Sequence, residues 1–179
     1  MKFMQRLGRS FMLPVAVLPV AAILNGIGYW IQNVAGENVA VTFLNAAGGA
    51  LISNMPILFA IGISLGMAPK PDGTSALSGL VSWLTIQKLL DPETVALFQG
   101  IDVADVNPAF GVIDNVFVGI IAGLIGAYSY DRFKDTKLPD ALSFFSGKRS
   151  VAIVSAAASL VAGVFIFMLW TLFYTGLVA

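Results

Sequence analysis

The sequence predicts an all-α integral membrane protein of about five transmembrane helices plus short interfacial or amphipathic helices. Three observations carry that prediction. Of 179 residues, 58% are hydrophobic and 11% charged, with a mean hydropathy of +0.86, whereas an ordinary soluble domain is about 25% charged. Apolar runs recur at lengths suited to the roughly 17–25 residues that cross about 30 Å of hydrocarbon. When successive segments alternate across a membrane, nine of the ten basic residues fall on one side.

The segments follow in order. Phe11 to Ile31 is free of charge and long enough to span, with Pro14 and Pro19 expected to kink or break the helix. A secretory signal peptide is the competing reading, because Lys2, Arg6 and Arg9 resemble a basic leader. Against it, the apolar stretch exceeds a leader's core, and Tyr29-Trp30 stands where an interfacial aromatic belt belongs. The charge-free run from Asn38 to Pro69 is too long for one span. Its weakly amphipathic part, FLNAAGGALISN (43–54), is expected at the interface or against other helices, and Pro56 marks a break before the strongly apolar 55–68. The second span is placed near 49–68 and the third near 74–90, short and interrupted by Gln87 and Lys88. Asp91 to Gly111 is polar and acidic, with Pro92 and Pro108 as turn signals. A fourth span lies near 112–130 and a fifth, the longest, near 151–178, separated by a polar loop over 131–149.

That loop contains KLPDALSFFSGKRS (137–150), basic and aromatic, yet Ser150 to Ala179 carries no charge at all. One reading docks Leu138, Phe144 and Phe145 on the membrane interface, with Lys148 and Arg149 on lipid headgroups. The other packs the loop into the cytoplasmic mouth of the protein, its Lys-Arg pair facing an anionic partner or guarding substrate exit. The side with Lys2, Arg6, Arg9, Lys70 and the five basic residues of this loop is the expected cytoplasmic side, which places the N-terminus inside. Only Lys88 falls on the other side, among Glu37, Asp91, Glu93, Asp102 and Asp105.

Chemistry is sparse. The chain has no Cys and no His, which removes disulfides, thiolate and imidazole metal sites, and the commonest general base. No phosphate-cradling loop and no paired intramembrane carboxylates occur, and a net charge of zero leaves no nucleic-acid footprint. No catalytic residue, metal site or cofactor is expected in the chain itself. Asp114, followed by Asn115, is the one acid beside a span: either it favours a helix N-terminus or it lines an aqueous cavity. Gly119, Gly123 and Gly126 share one helical face, and Gly62 and Gly66 form a GxxxG pair. Tight helix packing is one reading, and a sugar-sized pathway beside the glycines is the other.

Longer motifs go further. MKFMQRLGRSFMLPVAVLPVAAIL, AGGALISNMPILFAIGISLGMA, SALSGLV and YDRFKDTKLPDALSFFSGKRSVAIVSA, in that order, resemble the membrane-embedded IIC component of bacterial phosphotransferase-system sugar permeases, in the glucose/N-acetylglucosamine branch. LLDPETVALFQGIDVADVNPAFG is similar to the N-acetylglucosamine type. The resemblance covers nearly the whole chain and implies the N-terminal half of an EIIC fold of the glucose superfamily. It implies a multi-pass protein of the bacterial cytoplasmic membrane, a homodimer that carries a hexose across while a IIB domain phosphorylates it. The partners so implied are IIB and IIA domains or proteins, the C-terminal half of IIC and membrane lipid. The candidate substrate-binding or gating residues are Lys148 and Arg149, which match the family's basic pair, together with Asn54, Asp114 and Asn115.

The sequence departs from the family pattern in holding five segments, no Gly-Ile-Thr-Glu-like sugar-binding motif, and neither the IIB cysteine nor the IIA histidine. Ser150 and Ala152 stand where a larger residue and a Pro are expected, and Trp170-Thr171 where the family has Trp-Pro. Competing readings are a non-transporting scaffold or dimerisation subunit, and a decayed truncated fragment.

Overall fold

A computed structural model describes residues 2–178, and every described regular element is helical. The helices are α1 (Lys2–Ser10), α2 (Met12–Val15), α3 (Leu18–Ala35), α4 (Val39–Ser53), α5 (Met55–Met67), α6 (Gly73–Leu89), α7 (Pro92–Gln99), α8 (Val116–Phe133) and α9 (Lys148–Val178), with 3-10 turns at Val103–Asp105, Pro108–Val112 and Asp140–Phe145. The protein is a multi-pass membrane protein. Among the described residues, three helical stretches are long and apolar enough to span, Lys2–Ala35, Val116–Phe133 and Lys148–Leu177, or up to four if α4 and α5, bent by 51°, count as one.

Local chemistry sets most boundaries. The break between α2 and α3 falls between Pro14 and Pro19, and Pro19 opens α3 where a missing N–H costs nothing. The α4–α5 break lies at Asn54, inside the expected 49–68 span, with Pro56 in the first turn of α5. Pro92 and Pro108 open short helical turns over the acidic segment, each preceded by a capping side chain, Asp91 or Asn107. The loop expected over 131–149 is shorter, because α8 runs through Phe133 and α9 begins at Lys148.

The sense of each helix follows from paired contacts. Ser10 and Pro14 meet Gly66 and Gly62 in reverse order, so the N-terminal stretch is antiparallel to α5. Gly119 and Gly123 of α8 meet Pro56 and Ala60 in the same order, so α5 and α8 are parallel. Ser64 donates to the Ser75 carbonyl while Ala60 meets Gly79, so α6 runs against both. Ser78 meets Ser155 and Leu89 meets Gly163, so α9 runs with α6. The N-terminus, the α5–α6 connection and the α8–α9 loop therefore share one end of the bundle, and residues 91–115 seal the other. There Phe110 stacks on Phe167 at 5.5 Å and the Trp170 indole donates to the Ala109 carbonyl at 2.6 Å.

The glycine faces are filled by helix backbone. A Cβ on Gly123 would lie 2.8 Å from the Ala60 carbonyl oxygen, and one on Gly126 would lie 2.6 Å from the Gly79 Cα. No pathway opens beside those glycines. Gly62 and Gly66 likewise receive Pro14 and Ser10.

α6, only 17 residues long, covers about 25 Å at 1.5 Å per residue. It packs among α5, α8 and α9 with its polarity reversed: Ser75, Ser78 and Ser82 are fully buried while Leu77 and Leu84 face out. α9 does the same, with Ser155 and Ser159 inside and Leu160, Val164 and Met168 outside. Small polar residues inside and large apolar ones outside suit a bundle whose solvent is lipid. α3 and α4 form a hairpin that packs chiefly on itself, with Asn25 against Gly48 and Asn45 against Gly28.

Candidate functional site

The end of the bundle that carries the N-terminus gathers most of the charge. Asp72 has extended backbone and caps α6, accepting from the Thr74 and Ser75 amides at 2.9 and 3.2 Å. Ser75 returns the favour by accepting from the Asp72 amide at 3.0 Å, a reciprocal capping box. The second carboxylate oxygen of Asp72 accepts a hydrogen bond from Lys148, the first residue of α9. That ammonium holds the Asp72 carboxyl below its ordinary value of 3.8. The α8 side chain Tyr130 donates to the Lys70 carbonyl at 2.8 Å. Three helix ends are thus tied at one point, and a pocket of about 470 Å³ opens beside it, lined by Lys70, Asp72, Tyr130, Asp131, Lys134 and Lys148 among others. Lys134 and Asp131 pair at 2.8 Å, which raises the lysine above its usual value.

The loop leading into α9 is closed rather than loose. Gly147, at φ +69°, takes a backbone conformation other residues rarely adopt, and its amide donates to the Thr136 carbonyl at 2.8 Å. The Leu138 amide donates to Ser146 Oγ at 3.0 Å. Within the loop, Phe144 and Phe145 meet edge to face at 5.2 Å, and Phe144 remains 67% exposed. Arg149 lies 4.6 Å over the Phe144 ring and donates to the Phe144 carbonyl at 3.0 Å. Lys148 and Arg149 are adjacent in sequence yet serve different partners, the first on α6 and the second on the loop.

The other three candidates sit at the opposite end. Asn54 occupies the α4–α5 junction, exposed, its amide donating to the Ala50 carbonyl at 2.8 Å. Asn115 caps α8, accepting from the Val118 amide at 3.0 Å and donating to the Val112 carbonyl at 2.7 Å. Asp114 is exposed, just before that cap, and makes no ion pair among the described residues. The five candidates therefore do not converge on one cavity. Asn115 alone borders a second pocket, about 380 Å³ and mostly apolar, with Phe117, Trp170 and Tyr174.

Sequence reasoning passed over Asp72, Tyr130 and Lys134. The signal for Asp72 was present as Asp-x-x-Ser ahead of an apolar run, and that for Lys134 as a carboxylate three residues earlier. It also passed over the serine seam between α6 and α9, where Ser78 Oγ and Ser155 Oγ lie 2.6 Å apart and Ser78 donates to the Gly126 carbonyl at 2.7 Å. One turn further, Ser82 and Ser159 are buried with no hydrogen-bond partner. Nothing here forms a nucleophile–base pair. What the charged end offers is a polar, ion-paired surface at the ends of apolar helices.

Known proteins resemble the chain closely. A profile described as "Phosphotransferase system, EIIC" matches residues 8–179. The chain is 41% identical over 167 residues to the N-acetylglucosamine-specific EIICB component of Bacillus subtilis, covering 92% of this chain and 32% of that protein. It is 41% identical over 174 residues to the N-acetylglucosamine-specific EIIC component of Streptomyces coelicolor, covering 93% and 41% respectively. It is 37% identical over 168 residues to the N-acetylglucosamine-specific EIICBA component of Escherichia coli, covering 94% and 23%. The chain thus spans well under half the length of these relatives.

Proposed function

Since the chain belongs to the EIIC family of the phosphotransferase system, we propose that it forms part of a phosphoenolpyruvate-dependent permease that carries a hexose across the bacterial cytoplasmic membrane, coupled to phosphorylation of the sugar by IIB. The observation that carries this reading is the extent of the match, across nearly every residue and to three relatives named for N-acetylglucosamine. N-acetylglucosamine is therefore the sugar proposed first. Glucose is an alternative, since a glucose-specific EIICBA component of Staphylococcus saprophyticus is 33% identical over 196 residues, and so is glucosamine, since a glucosamine-specific EIICBA component of Bacillus subtilis is 36% identical over 177 residues.

The partners proposed with it are IIB and IIA, the C-terminal half of IIC, and a second copy of the chain. The charge asymmetry supports a cytoplasmic N-terminus, which would turn the Asp72–Lys148 end, the loop and the 470 Å³ pocket toward IIB. A sugar-gripping glutamate motif is not among these residues, so transport is assigned to the chain together with a second half.

The test is uptake in cells lacking their own glucose and N-acetylglucosamine permeases, expressing this chain with and without a matching C-terminal half. Uptake and phosphorylation of N-acetylglucosamine are expected only with both. Uptake in neither case overturns the permease reading and leaves a membrane scaffold or a decayed fragment. Phosphorylation by the chain and soluble carriers alone overturns the assignment of sugar binding to the second half.

A further inference from the structure

Helix α1 divides its residues cleanly. Lys2, Arg6 and Arg9 recur at spacings of four and three and fall on one face. Phe3, Met4 and Leu7 fall on the other, with Phe3 56% and Met4 68% exposed. As the N-terminal end of the stretch Lys2–Ala35, α1 stands where a spanning helix leaves hydrocarbon for headgroups. It is held there by Ser10, packed on Gly66, and by Phe11, whose ring lies 5.8 Å from that of Phe59. α1 packs along α5 but not against α8, and between α1 and α8 lies a pocket of about 360 Å³, bordered by Phe3 and Arg6, by Met67 at the end of α5, and by Leu124, Tyr128 and Asp131 of α8.

The pocket's lining mixes two chemistries. Its wall is apolar, made by Phe3, Met67 and Leu124. Its polar lining is Arg6, with Tyr128 and Asp131 on the last turns of a spanning helix, where hydrocarbon gives way to headgroups. Asp131 is balanced by Lys134 at 2.8 Å, so the unbalanced charge in the lining is that of Arg6. Lys2, Arg6 and Arg9 make no ion pair among the described residues. A small soluble anion would answer the guanidinium but leave the apolar wall wet. A neutral lipid would cover the wall but leave the guanidinium without a counter-charge.

We propose that the gap between α1 and α8 binds one anionic phospholipid, its phosphate on Arg6 and the upper part of an acyl chain against Phe3, Met67 and Leu124. The lipid serves as the third surface that fixes α1 to the bundle. Basic residues at a cytoplasmic membrane surface attract anionic headgroups by about 1 kcal/mol each, and Lys2 and Arg9 add to the field around the site without touching it. The assignment does not depend on which sugar the assembled permease carries, or on whether it carries one.

The test uses the purified full chain, delipidated in detergent, melted by intrinsic tryptophan fluorescence with added phosphatidylglycerol, phosphatidylcholine or glycerol phosphate. Phosphatidylglycerol is expected to raise the midpoint above phosphatidylcholine by about 2–4 °C or more, as ligand linkage predicts for a chain of this size. Glycerol phosphate is expected to do nothing. Arg6→Gln should remove at least half of the difference, and Lys88→Gln, at the opposite end, should keep it. Leu124→Trp, which fills the pocket and leaves Arg6 in place, should also remove it, so the result does not rest on one variant. Equal midpoints in the two lipids overturn the proposal, as does an Arg6→Gln chain that retains the preference. Stabilisation by glycerol phosphate would assign a soluble anion instead. An Arg6→Gln midpoint lowered without any lipid dependence would assign Arg6 to Asp131.

Discussion

Gly126→Ala tests whether backbone contact between α6 and α8 holds the bundle together. The added Cβ would lie 2.6 Å from the Gly79 nitrogen and Cα and 2.8 Å from the Ser78 carbonyl carbon, where ordinary contact begins at 3.4 Å. Those neighbours are main chain and cannot rotate aside, so the helices must separate. Separation also stretches the bond from Ser78 Oγ to the Gly126 carbonyl, now 2.7 Å. Overpacking of this kind costs roughly 1–3 kcal/mol, and the gain in helix propensity from Gly to Ala returns about 1 kcal/mol. Because the contacts are to main chain, the cost lies at the upper end of that range; the net loss is then about 2 kcal/mol and lowers the melting midpoint by about 4–8 °C at this chain length. Two substitutions calibrate the measurement. Gly163→Ala meets only the end of the Leu89 side chain, which can turn away, and Gly49→Ala meets nothing within 4 Å. Both should melt within a degree or two of the parent or above it. A Gly126→Ala chain as stable as these controls, melted in detergent by tryptophan fluorescence, would refute the argument that this interface is set by backbone approach.

The other predictions concern charges, hydroxyls and orientation. Asp72 has its carboxyl below 3.8, so its contribution is present above that pH and lost as pH falls through the folded value. Melting midpoints followed from pH 6 downward should show a loss starting below about pH 4 that is absent in Asp72→Asn. Ser78→Ala, which removes two hydrogen bonds, is expected to cost about 0.6–1.5 kcal/mol, while Ser82→Ala, whose hydroxyl has no partner, should be neutral or stabilising in the same melt. For orientation, Ser10 is buried and unsuited to labelling, so single cysteines belong at Gly8, Lys137 and Asp102. A membrane-impermeant maleimide added to intact cells is expected to label Asp102→Cys and spare the other two, and the reverse pattern would place the N-terminus outside.

What the sequence made legible is what short-range chemistry decides. Pro14 with Pro19, Pro56, Pro92 and Pro108 all mark real boundaries, because a ring without an N–H constrains its own neighbourhood whatever surrounds it. The glycines could be read as a packing face because helical spacing alone puts them together. Which helix they face could not be read: Gly123 meets α5 and Gly126 meets α6, a choice made by three helices converging. The short apolar segment at 75–90 hid its nature for a related reason. Gln87 and Lys88 stand out as its interruptions, while its serines signal nothing until α9 supplies serines at the same spacing on a parallel helix. The Asp72–Lys148 pair links residues 76 apart, and no local pattern announces it.

That pair changes how the basic end must be probed. As a dipeptide, Lys148 and Arg149 suit an anionic partner, yet each already has a partner within the chain, Asp72 for one and the Phe144 ring and carbonyl for the other. Replacing either will loosen a helix end or a loop, and lost uptake after such a change would not separate a contact with substrate or IIB from a collapsed frame. Of the basic side chains at this end that make no ion pair among the described residues, Arg132 and Lys137 beside the loop and Lys70 at the pocket are the better probes. They carry charge without holding the structure, so an effect on phosphorylation with an unchanged melting midpoint would belong to an encounter with a partner. By the same reasoning Lys148→Arg, which preserves the ion pair, is more informative than Lys148→Ala.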